Sequence, residues 1–153
     1  MKAKSIVIVL HVILLFLYGC SAGANDNMYE VSREDVTQNL EGIEFDYELP
    51  SEMPFEIANV DVSRPSLSQP LFAVDYIGEN EKHISLEVTN SDVTWTLPDE
   101  TEEVDVNGNE GMFMENDQGA KILAWKAQGV SYELSTNTDI GKDMLINVAE
   151  SFD

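Results

Sequence analysis

The chain carries one cysteine, Cys20, and two histidines, of which His11 lies within the first apolar run. A lone thiol excludes an internal disulfide framework and a thiolate metal cluster. One remaining histidine, His83, excludes a site built from several imidazoles. Basic residues are scarce as well: 8 lysines and arginines stand against 29 acids, a net charge of −21. Nucleic-acid affinity rests mainly on Lys and Arg at phosphates, so that class of partner is excluded. The same deficit removes the attraction that would lay a folded domain on an anionic membrane. Long apolar sequence is lacking too, since Ile6 to Tyr18 spans 13 residues broken by His11, where a bilayer-spanning helix needs about 20.

What the N-terminus does contain is an address. Lys2 and Lys4 precede an apolar stretch of signal-peptide length, and the stretch closes in Leu17-Tyr18-Gly19-Cys20. With Leu at minus three and Gly at minus one, these residues resemble the lipobox of bacterial lipoproteins. Tyr18 departs from it, being bulkier than that family usually places at minus two. The resemblance implies a signal peptide over 1–19, cleavage before Cys20, and diacylglycerol with palmitate-type chains on its thiol. It also implies residence on the extracytoplasmic face of the cell membrane. Removal of 19 residues leaves 134 with 6 basic and 29 acidic side chains, enough for one domain. Residues 20–44 read as a lipidated N-terminus and tether with a short helix, and 45–153 as the domain.

Ser21 to Asn27 are small or polar, as in a flexible linker. Ser32-Arg33-Glu34-Asp35 has the form of an N-cap with a return acid, and Val36, Leu40 and Ile43 give a short apolar stripe. Phe45, Tyr47 and Leu49 alternate with acids up to Pro50, and Phe55, Ile57, Val60 and Val62 follow, which predicts half-buried strands. Arg64 to Pro70 reads as a loop, and Leu71–Ile77 with His83–Val88 as a hairpin. Trp95 to Leu97 suits a brief pairing, and Asp99 to Glu103 a solvated run. Val104 and Val106 lead through Asn107-Gly108 into Met112-Phe113-Met114. Lys121–Lys126 turns at Gln128-Gly129 into Val130–Ser135, which lets Leu123, Trp125, Val130, Tyr132 and Leu134 line one face. From Lys142 the period changes, and Leu145, Val148, Ala149 and Phe152 form a helical stripe. The expectation is an α+β fold, an antiparallel meander sheet with a C-terminal helix packed on one face. Trp125, Tyr132, Leu145, Val148, Ala149 and Phe152 would form the helix–sheet core.

The series Asn107-Gly108, Leu123-Ala124-Trp125, Gly129-Val130, Tyr132-Glu133-Leu134 and Val148-Ala149-Glu150-Ser151-Phe152 resembles a family of uncharacterised extracytoplasmic domains. These domains occur in lipoproteins and membrane-anchored regulators of spore-forming Gram-positive bacteria, and the resemblance covers about residues 45–153. Gly141 departs from it, standing where that family often has a Ser or Thr cap. More remotely, the architecture is similar to periplasmic lipoprotein carriers and to sensors that bind anti-sigma factors, an analogy of fold that implies little about activity.

Chemistry-bearing constellations are few. Asp105 to Glu110 alternates oxygen side chains like the opening of a calcium loop, but Glu110 stands where the loop needs Gly and Asn116 where it needs a bidentate Glu. A hairpin is the expected structure there. His83 sits at a strand start beside Lys82 with no glycine elbow near any serine, so a Ser-His-Asp hydrolase is the weakest reading. Met112 and Met114 share a face without Cys or His to make a copper site. No catalytic residue, metal site or cofactor is expected. The function implied is a non-enzymatic, lipid-anchored module that binds an envelope protein or acts as a sensory accessory. A carrier of lipid or another hydrophobic ligand is the alternative.

Overall fold

Three turns set the sheet. Asn80-Glu81, Asn107-Gly108 and Gln128-Gly129 each place two consecutive residues at positive φ, from 51° to 86°, the twist that folds two strands back on each other; the last two are whole two-residue loops, and the first lies within the four-residue connection 79–82. They join β4 (Leu71–Gly78) to β5 (His83–Thr89), β6 (Glu102–Val106) to β7 (Asn109–Glu115), and β8 (Lys121–Ala127) to β9 (Val130–Thr136). Between β7 and β8 the chain turns at Asn116–Gly119, where the Asn116 side chain accepts from the Gln118 and Ala120 amides. The computed structural model describes residues 27–65, 70–95 and 100–153. Leu17, Tyr18, Gly19 and Cys20, the signal segment, the linker to residue 26, residues 66–69 of the Pro/Ser loop and residues 96–99 lie outside the described residues.

With β3 (Ile57–Ser63), these strands form one antiparallel sheet in the order β3-β4-β5-β9-β8-β7-β6. The expected meander is therefore two meanders, β3 to β5 and β6 to β9, joined where β5 pairs with β9 in the register Leu86↔Leu134 and Val88↔Tyr132. After Thr89 the chain does not turn back. It crosses to the far edge and begins β6 there: no two-residue turn signal follows Thr89 to fold the chain back on β5. The acidic run expected to stay in solvent enters the sheet at Glu102.

One side of the sheet carries Phe72, Val74, Tyr76, Ile84, Leu86, Val88, Leu123, Trp125, Tyr132 and Leu134, all buried. Its cover comes from both ends of the chain. At the β3 end lies α1 (Glu34–Asn39), with Val31, Val36 and Leu40 in the same core as the sheet, so residues assigned by sequence to the tether help build the body. Arg33 is its N-cap, without a side-chain cap hydrogen bond. Ser32 was the expected cap. The Arg33 guanidinium instead pairs with the Asp153 carboxylate and donates to the Asp153 carbonyl.

At the other end α2 (Lys142–Glu150) starts from Gly141, also without a side-chain cap, and buries Leu145, Val148 and Ala149. The helix stops at Glu150. Phe152, expected on its stripe, lies beyond it, bridged to Pro50 and packed edge-on to both Trp125 and Tyr132 with ring centroids 5.1 and 5.6 Å away.

Between the helices runs Phe45 to Leu49, which forms no strand despite its alternation. The Tyr47 ring meets Phe72 edge-on at 5.0 Å, and the Glu48 amide donates to the Tyr132 hydroxyl. Alternation here records an extended chain laid across an apolar surface, not a ladder partner. Residues 49–53 are held on both flanks. β1 (Tyr29–Glu30) pairs with β2 (Glu52–Met53), while Leu49 and Ser51 bond to Asp153 and Ser151.

Two substitutions test this arrangement. Glu81 holds φ 62°, a left-handed conformation that costs a side-chain-bearing residue roughly 1–2 kcal/mol. Glycine gives part of that back through its freer unfolded chain, so Glu81→Gly is expected to stabilise the fold by about 0.5–1 kcal/mol. Denaturant titration measures this, with the midpoint moving up. Phe152→Asp places a charge against two stacked rings and is expected to cost at least about 3 kcal/mol, seen as a marked fall in Tm. An unchanged melt would mean that Phe152 does not close the core.

Candidate functional site

Alternation leaves the second side of the sheet to residues of the opposite parity, and this side meets neither helix. Asp61 on β3, Asp75 on β4, Glu87 on β5, Glu133 on β9 and Glu103 with Asp105 on β6 share it. Among them lie the half-buried Leu71, Ile77, Met112, Met114 and Ile122. Met112 and Met114 are thus on the side opposite the main core.

The start of the crossover lies over this side. Val93 and Trp95 form a cleft of about 90 Å³ with Glu87, Thr89, Ser131, Tyr132 and Glu133. The Asp92 carboxylate lies 3.5 Å from Lys126 Nζ. Glu100, at the crossover's other end, borders a larger cleft of about 390 Å³ with Met114, Ile122 and the Asn116–Asp117 turn.

Glu87 and Glu133 stand directly opposite each other in the β5–β9 ladder, a placement that sets like charges side by side. Burial, and secondarily the Glu87 carboxylate, pushes the Glu133 carboxyl above its ordinary value. Ser131, two residues away on the same side, is 3% exposed, and its hydroxyl has no hydrogen-bond partner among the described residues. By contrast, the neighbouring Thr89 hydroxyl donates to the Pro70 carbonyl and accepts from the Ser91 amide. Sequence reasoning missed Glu87, Ser131, Glu133 and Trp95 as a group. The alternation that places Glu133 outward was legible, but the β5–β9 pairing that sets it against Glu87 was not.

His83 begins β5, and its Nε2 lies 3.0 Å from Asp75 Oδ1. Asp75 faces Ser85 in the register, so an acid, an imidazole and a hydroxyl share a small region. Among the described residues no hydroxyl is hydrogen-bonded to the His83 ring; the Thr136 hydroxyl donates to its backbone carbonyl. The run from Asp105 to Glu110 forms the expected hairpin, with Asp105 Oδ1 accepting from the Gly108 amide and the Asn109 side chain donating to the Val106 carbonyl. Among the described residues no group of three or more His, Cys, Asp or Glu side chains is placed to hold a metal ion, and no helix is long and apolar enough to cross a membrane.

The residues proposed from sequence for a helix–sheet core are close together: Trp125 stacks on Tyr132 at 5.2 Å, with Phe152 against both, and Leu145, Val148 and Ala149 are buried. The Tyr132 hydroxyl is pushed above its ordinary value first by burial, which outweighs its bond from the Glu48 amide. Burial likewise raises the Tyr76 hydroxyl, which is fully enclosed and unpartnered. These aromatic and aliphatic side chains fill the space under the cover.

The raised Glu133 carboxyl carries a signed prediction. A carboxyl whose folded value lies above its unfolded value binds its proton more tightly when folded. Stability therefore falls as pH rises from the unfolded value through the folded one, and the penalty is fully present above it. Glu133→Gln is expected to raise Tm at pH 7 by the small amount typical of a cross-strand pair, ~0.2–1 kcal/mol. The gain should vanish below about pH 4, where the unfolded carboxyl is protonated too. A gain that persists unchanged into acid would mean the carboxylate charge is not its source.

A family model described as a domain of unknown function, DUF4367, matches residues 67–152. No curated protein and no solved structure is matched. The matched span runs from the approach to β4 to Phe152, which packs against Trp125 and Tyr132, more than half of the chain. The chain belongs to the DUF4367 family of uncharacterised domains.

Proposed function

We propose that this chain is a non-enzymatic, lipid-anchored extracytoplasmic domain that works by contact with an envelope protein, as a binding or sensory accessory module. The observation that carries the reading is the second side of the sheet. There Leu71, Ile77, Met112, Met114 and Ile122 remain partly exposed among acids, a mixture of apolar area and charge that suits a partner surface. The anchor rests on the lipobox resemblance of Leu17-Tyr18-Gly19-Cys20, and the charge of −21 keeps the domain off anionic lipid by repulsion. Lipid on Cys20 supplies the attachment, and the exposed sheet supplies the contact.

Two measurements test the two halves of this reading. Cys20→Ala is expected to move the protein from the membrane fraction to the soluble fraction, and recovery of the variant in membranes would sink the anchor. A photo-crosslinking residue at Met112 or Ile77 is expected to capture one discrete envelope protein in intact cells, whereas the same group at the exposed Glu150, on α2, captures none. Equal capture from both positions, or none from either, would overturn the contact reading.

A further inference from the structure

The Glu87–Glu133 pair is an electrostatic arrangement with no internal resolution. Two carboxylates face each other across the β5–β9 ladder. The nearest basic side chain in the register, Lys126 opposite Ser131, is drawn to Asp92 on the crossover. Beside the pair, the Ser131 hydroxyl is buried without a partner among the described residues. A hydroxyl in that state forfeits its hydrogen bonds to water and gains nothing in return, which points to a ligand that completes it. Trp95 borders the same cleft and brings an aromatic π-system to it. The cleft is small, about 90 Å³ against about 390 Å³ for the one beside Glu100, a scale that suits the head of a side chain.

We propose that this cleft is a recognition subsite for an organic cation, the guanidinium head of an arginine presented by a protein partner. A guanidinium is planar and weakly hydrated. It stacks on aromatic faces and donates through a fork wide enough to engage two carboxylate oxygens. Its charge turns the repulsion between Glu87 and Glu133 into attraction from both sides. Ser131 supplies an acceptor lone pair, and Trp95 adds the attraction of a π face for a cation. The protein's large negative charge raises the local concentration of such a cation before contact. The inference deepens the protein-contact reading and depends on it only for where the arginine comes from.

The test is titration of the ¹⁵N-labelled full chain, in nonionic detergent, with N-acetyl-arginine amide at constant ionic strength. The neutral citrulline analogue and added NaCl serve as controls. A saturable shift of the Trp95 indole N–H and of the Ser131 and Glu133 amides is expected with the arginine probe and with neither control. Glu133→Gln should weaken the probe at least about fivefold, the scale of one charge-assisted hydrogen bond. Ser131→Ala should weaken it less, and Glu103→Gln, on the distant edge strand, should leave it unchanged. Shifts that NaCl reproduces, or that survive in both Glu133→Gln and Glu87→Gln, would mean diffuse attraction and overturn the subsite. A chain that binds the probe but crosslinks no partner upholds the cleft and removes the protein-contact reading. The reverse result removes the cleft alone.

Discussion

Everything in this fold depends on the pairing of β5 with β9. The two meanders on either side are each closed by local turns, but neither buries its apolar side alone. The ladder from Ser85↔Ser135 to Thr89↔Ser131 turns two small sheets into one of seven strands. It brings Leu86 and Val88 beside Leu134 and Tyr132, and so makes one continuous apolar surface for the cover to meet. The same ladder sets Glu87 against Glu133 on the reverse side. One pairing thus generates both the core and the electrostatic tension opposite it.

The cover is assembled by a different logic. Neither helix has a side-chain cap, and α1 has only six residues, below the length at which a helix is stable in isolation. Their order comes from what they bury and from cross-links between the chain's two ends: Arg33 to Asp153, Ser51 to Ser151, and Phe152 against Pro50. These contacts span about a hundred residues of sequence or more. Helix, extended segment and helix act as a single lid across the sheet.

How much of this was legible in the sequence follows from the range of each interaction. Turn chemistry is local, so Asn107-Gly108 and Gln128-Gly129 located two hairpins, and period-two alternation located β4, β5, β7, β8 and β9. The stripe of Leu145, Val148 and Ala149 located α2. Alternation does not say whether an extended segment joins a ladder, and Phe45 to Leu49 lies on the sheet instead of in it. The jump from β5 to the far edge left no mark beyond the absence of a turn signal. The cleft at Trp95 was invisible for the same reason, since its carboxylates lie 46 residues apart and meet only through the β5–β9 register.

Phe152 and Asp153, which fasten the lid, come after every strand of the sheet and after α2. Strands β3 to β5 can close as soon as they are made, but β5 must wait for β9, and the apolar side of the whole sheet must wait for Phe152. A growing chain therefore holds its most adhesive surface open until α2 and Phe152 are made, with long-range contacts completed late. A break between Ser151 and Phe152 would spare every strand, yet leave Trp125 and Tyr132 without the ring that closes over them.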